Sequence, residues 1–440
     1  MSISLPKKFL LNTNWVFIEK ISKAVISGLT SILIARYLGA EGLGVIAIVL
    51  AVFSIFSVVG TLGLDRVLLK ELEVSKSVET LVGSVVALRF TAAILGFVLI
   101  NVYSFFAYTS EQVQWMIFAI SFAFFFAVGN TFEAFYRKAL RSEVATMVRV
   151  LGLLASAAAK IIFLFFDANI IWFAIPAVLE TFLVCACYVF LWRVKKDIEL
   201  PPLCFSLTEC KRLIRLSWPL TLSGIVGTLF FQMDKMFLYD LADEATLGQY
   251  ALLVQIVSIV LFAFAAFNMS SVPILNKLFF RSKEQFWQRY QEATALKFLL
   301  ALFAGGGLIL FGNPVITFFV GPEFHYSTAT LVIFALYVVV VAMSSLKTEY
   351  CLLNGIVKPL FYLRVLTLIL NFILNYLLIP RWGIEGASVA TLISYFANEV
   401  VFPLFIKEMR VALFNEYKSL LRLLQPSFYL NLRIYLSKAR

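Results

Sequence analysis

The chain has 440 residues, 61% of them hydrophobic and only 14% charged, with 45 Phe and a formal net charge of +11. A soluble domain is about half apolar and about a quarter charged, so this composition describes a polytopic membrane protein and excludes an ordinary soluble domain. The positive charge is spread over short loops rather than gathered in one domain, which speaks against nucleic acid and for an anionic inner-leaflet surface.

The start, Leu5-Pro6-Lys7-Lys8-Phe9, carries bases but no small-residue cleavage site behind a compact apolar core, and reads as a retained cytoplasmic lead. Crossing hydrocarbon takes about 20 mostly apolar residues, which predicts about twelve helical spans. Six lie at 15–35, 44–63, 81–102, 113–131, 147–166 and 170–192. A basic linker with Pro201-Pro202 occupies 193–217. Six more lie at 218–239, 247–269, 293–311, 329–346, 359–379 and 386–406. Gly305-Gly306-Gly307 and Asn313-Pro314 make the ninth the span expected to bend or break. Residues 407–440 mix Leu, Phe and Tyr with bases, as an amphipathic helix lying on an anionic inner leaflet would.

Orientation follows from the bases. Of the 37 Lys and Arg, about 28 fall on one set of loops and termini, seven within spans, and only Arg36 and Arg381 on the opposite loops. That asymmetry puts both termini in the cytoplasm. The outer loops are short and acidic, with Asp167, Asp240, Asp243, Glu244 and Glu323.

The chain also repeats itself. Trp15 leads to Leu43-Gly44 as Trp218 leads to Leu247-Gly248. Leu88-Arg89-Phe90 returns as Leu296-Lys297-Phe298, and Arg149-Val150-Leu151 as Arg364-Val365-Leu366, all offset by about 203 to 215 residues. Six spans per half give both copies the same orientation. The expected architecture is therefore an all-α integral membrane protein of two six-helix lobes, 1–192 and 218–406, related by a pseudo-two-fold along the membrane normal, with a site between them.

Enzyme chemistry finds little support. His325, in an outer loop, is the only histidine, so no His-based triad or His-rich metal site is available, and no Walker-type phosphate loop appears. Cys185 and Cys187 lie in an apolar run, and Cys204, Cys210 and Cys351 in cytoplasmic stretches, which reads as small inert thiols and no disulfide framework.

The seven basic residues within spans are Lys20, Lys23, Arg89, Lys160, Lys235, Lys297 and Arg364, all on odd-numbered spans. A cation near the bilayer centre costs roughly 3 kcal/mol, so such residues face a wet or protein-lined interior, here one suited to an anion. Snorkelling, or pairing with Glu19, explains Lys20 and Lys23 as well as substrate contact does. The same balance holds for Lys297 and Arg364 near cytoplasmic ends. Arg89 sits about 12 Å into its span at 1.5 Å per residue, which favours a cavity; for Lys160 the two explanations balance. Four acids share the membrane: Glu19, Glu180, Asp234 and Glu399. Buried carboxylates can carry protons or bind Na⁺, or they can simply neutralise the buried bases. Glu180, Asp234 and Glu399 are the candidates for such ion coupling. Asn371 and Asn375 place two amides on one helix face, suited to sugar hydroxyls or to interhelical bonding.

Three stretches carry a resemblance. They are Ala35-Arg36-Tyr37-Leu38-Gly39 with Gly42-Leu43-Gly44, then Asp234-Lys235, then Asn371 through Pro380 into Gly383-Ile384-Glu385-Gly386-Ala387. Together they resemble the O-antigen flippase (Wzx) family of polysaccharide transporters, over about residues 14–406. Its superfamily also includes multidrug exporters of the MATE type and peptidoglycan-precursor flippases. The resemblance implies a MATE-like fold around a cationic V-shaped cavity, working by alternating access, with no cofactor. It implies a substrate of undecaprenyl pyrophosphate carrying a short oligosaccharide, flipped from the inner to the outer leaflet of a bacterial cytoplasmic membrane. It also implies membrane lipids, a polysaccharide polymerase and a chain-length regulator as partners. Arg89, Lys160, Lys297 and Arg364 take the place of the family's cavity cations, since a pyrophosphate needs cations and Arg can grip it through two bonds. An ion-coupled multidrug or peptidoglycan-precursor exporter of the same superfamily is the alternative.

Overall fold

The computed structural model describes residues 7–75, 77–193 and 202–423, without side chains at 7–13, 344 and 345. The side chains of Lys7 and Lys8, and Lys76, Lys195, Lys196, Pro201 and tail residues 424–440, lie outside the described residues. Among those described, every regular element is helical. Ten helices are long and apolar enough to cross a membrane. Two of them are long continuous runs, Asn14–Val74 and Val357–Phe405, each covering two of the twelve expected spans. At 61 and 49 residues these would measure roughly 90 and 75 Å if straight, against a hydrocarbon core of about 30 Å. Within them the helix is interrupted at Gly39 (φ 71°) and Gly383 (φ 49°), and the first run turns again at Gly63 (φ 59°).

Both glycines open the same four-residue pattern, Gly39-Ala40-Glu41-Gly42 and Gly383-Ile384-Glu385-Gly386. The first glycine supplies the positive φ that other residues adopt only with strain. The second permits a tight fold-back: a Cβ at Gly42 would sit 2.6 Å from Leu38 Cβ, and one at Gly386 would overlap the Leu378 carbonyl. Part of the motif that carries the family resemblance is thus the turn chemistry of two hairpins. The ninth span, expected to bend or break, is unbroken: one helix runs from Lys283 to Phe319 with Pro314 inside it. Its Gly305 serves packing, since a Cβ there would lie 3.2 Å from Ala335 on the neighbouring helix.

The chain divides into two compact units, Met1–Tyr239 and Asp240–Arg440. The first contains α1 (Lys7–Thr61), α2 (Leu64–Val74), α3 (Val78–Ala107), α4 (Glu111–Ser121), α5 (Ala123–Phe126), α6 (Asn130–Lys138), α7 (Ser142–Phe165), α8 (Ile175–Arg193) and α9 (Leu207–Leu241). Helices α4 to α6 form the fourth span, interrupted by a 3₁₀ turn at Ala127–Gly129. That turn lies where α8 approaches closely, for a Cβ on Gly129 would be 2.7 Å from Cys185 Cα. The short α2 is amphipathic. Leu64, Val67, Leu68 and Leu72 point into a core with Leu81, Val82, Val85, Phe135 and Leu213, leaving Asp65, Arg66 and Lys70 exposed.

Helix α9, read as opening the second lobe, belongs to the first compact unit. The reason is a strap: Cys204 N–H donates to the Glu79 carbonyl at 3.3 Å, Arg212 pairs with Glu71 at 2.8 Å, and Leu213 enters the core of α2 and α3. Gly83 makes room for this strap, because a Cβ there would overlap the Cys204 carbonyl.

The second unit contains α10 (Glu244–Arg281), α11 (Lys283–Phe319), α12 (Thr328–Leu353), α13 (Val357–Phe396), a π turn at Ala397–Val401 and α14 (Lys407–Arg422). Asp243, Ser282 and Ser327 cap the first three by accepting from backbone N–H groups. The described part of the tail, α14, is not a free surface helix. Met409, Ala412, Leu413, Glu416 and Ser419 form a buried face against α11 and α12. Val411, Phe414, Tyr417 and Leu421 remain exposed beside Lys407, Arg410 and Lys418, a second face with the composition of a headgroup-region contact.

Candidate functional site

Charged groups gather in each unit around one buried centre. In the second unit that centre is Lys347, which is 2% exposed. Its ammonium lies 2.9 Å from Glu399 Oε2 and 3.4 Å from Glu416 Oε2, and it also donates to the Glu399 backbone carbonyl. Tyr290 O–H donates to the other oxygen of Glu416 at 2.9 Å. Lys297, fully buried on α11, has Glu416 and Glu399 as its charged neighbours. Asn398 donates to Glu399 Oε1 at 2.6 Å, and Thr367 donates to Asn398 at 3.0 Å, extending the network to α13. Two ammonium groups and two carboxylates are thus enclosed together, balanced in charge when all four are ionised.

In the first unit the centre is Glu133 on α6, which is 5% exposed. One oxygen accepts from Arg137 Nε at 2.6 Å, and the other accepts from Arg149 Nη2 and Nε at 2.6 and 2.9 Å. Asn130 Oδ1 takes a further Arg149 proton at 3.0 Å, and Glu19 lies 3.5 Å from Arg137. The arginine side chains are about one third exposed, so this cluster opens partly to its surroundings whereas the other does not.

The four cations expected to line a cavity fall in different settings. Arg89 is buried, pairs with Asp65 of α2, and donates weakly to the Ala127 carbonyl at 3.4 Å; its Nε has no hydrogen-bond partner. Lys297 joins the enclosed cluster just described. Lys160, half-buried on α7, has Glu180 on α8 as its charged neighbour. Arg364 is exposed on α13. Of the acids, Glu399 is the one brought against two lysines, Glu180 accompanies Lys160, and Asp234 is buried on α9. Lys235 bonds to Gln232 at 2.9 Å, while Lys20 and Lys23 are exposed on α1. Asn371 and Asn375 are fully buried and bonded to each other at 3.0 Å.

Lys347 is a correction: as the residue just past the 329–346 span it counts among the loop bases, yet it lies inside α12. Glu416 and Glu133 carry the clusters and were not singled out in the sequence. The available signal for Glu416 was its register, a lone acid on the Met409-Ala412-Leu413 face of an amphipathic helix. Among the described residues, no group of three His, Cys, Asp or Glu is placed to hold a metal ion.

Membrane-length helices among the described residues, with charge clusters held between them, define a polytopic helical membrane protein. Solved structures agree on that fold. The lipid II flippase MurJ in an inward closed conformation superposes with a TM-score of 0.70 at 15% identity, covering 94% of this chain and 92% of that one. A MATE-family multidrug resistance transporter in its inward-facing conformation gives 0.64 at 13% identity, covering 91% and 99%. A MOP-superfamily transporter from Pyrococcus furiosus gives 0.61 at 12% identity, covering 93% and 96%. No curated protein matches the chain by sequence. The family model for polysaccharide biosynthesis proteins matches residues 9–279. The chain belongs to that family.

Proposed function

We propose that the chain is a flippase that moves a lipid-linked oligosaccharide from the inner to the outer leaflet of the bacterial cytoplasmic membrane by alternating access, and that it does not catalyse a covalent reaction. The observation that carries this reading is the polysaccharide-biosynthesis family match over residues 9–279 on a chain with ten membrane-length helices. The substrate is an O-antigen, capsular or exopolysaccharide repeat unit on undecaprenyl pyrophosphate, handed on to a polysaccharide polymerase and a chain-length regulator. The excess of Lys and Arg on one set of loops supports cytoplasmic termini.

Among the candidate cations, Arg364 and Lys160 are the ones with surface to offer a pyrophosphate, whereas Arg89 and Lys297 are enclosed with carboxylate partners. We assign headgroup contact first to Arg364 and Lys160, and a supporting role to Arg89 and Lys297. Glu180, Asp234 and Glu399 are the candidates for coupling transport to H⁺ or Na⁺. A multidrug or peptidoglycan-precursor exporter is the second reading, supported by the fold shared with MurJ and a MATE transporter.

Thermal unfolding in nanodiscs separates these readings. The flippase reading expects stabilisation by an undecaprenyl-pyrophosphate-linked saccharide, reduced in a Lys160→Ala/Arg364→Ala variant, and none by a lipophilic cation. Stabilisation by the cation alone would favour a drug exporter, and stabilisation by lipid II alone a precursor flippase.

A further inference from the structure

Helix α14 lies outside the family match and outside the membrane-length helices, yet it inserts a carboxylate into the interior of the second unit. Every other residue on its buried face is apolar or small, so Glu416 is the one titratable group in that contact. A carboxylate is an expensive residue to bury unless its charge is compensated or it takes up a proton. Here the lysine that pairs with it is shared with a second carboxylate. Lys347 is nearer to Glu399, at 2.9 Å, than to Glu416, at 3.4 Å, and it spends a further proton on the Glu399 carbonyl.

The groups facing Glu416 come from each element packed against α14. Helix α11 contributes Tyr290 and Lys297, α12 contributes Lys347 and Cys351, and the π turn contributes Glu399. At the far end of α14, Arg422 lies 3.9 Å from Glu292 of α11, a solvent-side contact. Lys347, Lys297 and the Tyr290 hydroxyl favour the ionised form of Glu416, while Glu399 opposes it. Burial outweighs them and pushes the Glu416 carboxyl up to about 7.

We propose that α14 is a proton-set latch: the charge state of Glu416 governs how firmly the helix docks on α11 and α12, with docking tightest when Glu416 is protonated. This inference stands on the second unit alone and does not depend on the substrate assigned above. The direction follows from linkage. Undocked, Glu416 is a water-exposed acid with an ordinary pKa near 4.5; docked, it holds its proton to about 7. Docking is therefore strongest below the lower value and weakens as pH rises through the upper one. A shift of this size corresponds to a change of up to ~300-fold in the docking equilibrium. In a cytoplasm near neutrality the latch is poised to respond, and its release would uncover the interior ends of α11 and α12.

The test is hydrogen–deuterium exchange of the full chain in nanodiscs, with labelling times scaled for intrinsic exchange, from pH 5.5 to 8.5. Amides of residues 407–422 should lose protection with a midpoint near 7. Glu416→Gln, a neutral isostere, should stay protected across the range. Tyr290→Phe removes a donor that favours the ionised form, and should move the midpoint upward. Protection in the unaltered chain that does not change with pH would overturn the latch. So would a midpoint that survives unchanged in Glu416→Gln or, should that variant fail to fold, in Tyr290→Phe.

Discussion

In the first unit one carboxylate, Glu133, holds two guanidiniums; in the second one ammonium, Lys347, holds two carboxylates. The two centres are 214 residues apart, within the offset of the internal repeat, and Tyr136 and Tyr350 follow each at the same distance. The two units thus carry inverted charge patterns at positions one repeat offset apart in the sequence. The inversion has a chemical consequence. Guanidiniums stay protonated at any physiological pH, so the first cluster is a fixed-charge joint. In the second cluster two carboxylates share one central ammonium, so a proton taken up by Glu416 relieves the repulsion between them. The partial exposure of Arg137 and Arg149 against the enclosure of Lys347 and Glu416 fits the same division.

The largest expected effect comes from removing the centre of the fixed-charge joint. Glu133→Ala leaves two permanent cations crowded together, and breaking such a buried pair costs ~3–5 kcal/mol. Thermal unfolding in nanodiscs should show that loss equally at pH 6 and pH 8. A pH-dependent loss would break the contrast from the first unit's side. A smaller and pH-sensitive effect is expected of Lys347→Met. At pH 8 the abandoned carboxylates repel, at a cost of ~3 kcal/mol. At pH 6 the Glu416 carboxyl, pushed up to about 7 in the unaltered chain and raised further once Lys347 no longer favours its ionised form, takes up a proton and relieves part of that cost. Equal destabilisation at both pH values would show that Glu416 does not titrate in the enclosed cluster.

Much of this architecture is legible in the residues, and the exceptions have physical causes. Runs of Leu, Ile, Val and Phe announce the spans because hydrocarbon tolerates little else. The glycine pairs at Gly39/Gly42 and Gly383/Gly386 announce hairpins because they alone fit the fold-back. Arg89 and Lys297 stand out as cations in apolar sequence, and they are indeed buried. Their partners do not stand out. Asp65 sits on a helix too short and too polar to register as a membrane element, and Glu416 in a tail whose bases draw attention to the surface. Lys347 follows the last residue of its predicted span, where hydropathy cannot separate a helix interior from a loop. Charge pairing is set by tertiary contact, so its components are visible in one dimension while the pairing is not. The fourth span tightens into a 3₁₀ turn at Ala127–Gly129, where α8 comes close, which a run of phenylalanines does not foretell.

The most direct measurement of the account is transbilayer movement itself. Purified chain would be reconstituted into liposomes holding a fluorescent undecaprenyl-pyrophosphate-linked saccharide, with an impermeant quencher reporting which leaflet holds the label. The account predicts accelerated exchange between leaflets, slowed at least ~10-fold when Arg364 and Lys160 are both replaced by Ala, the loss of a charge-assisted contact of about 1.5–3 kcal/mol. Exchange no faster than in protein-free liposomes, with the chain folded and correctly inserted, would contradict it.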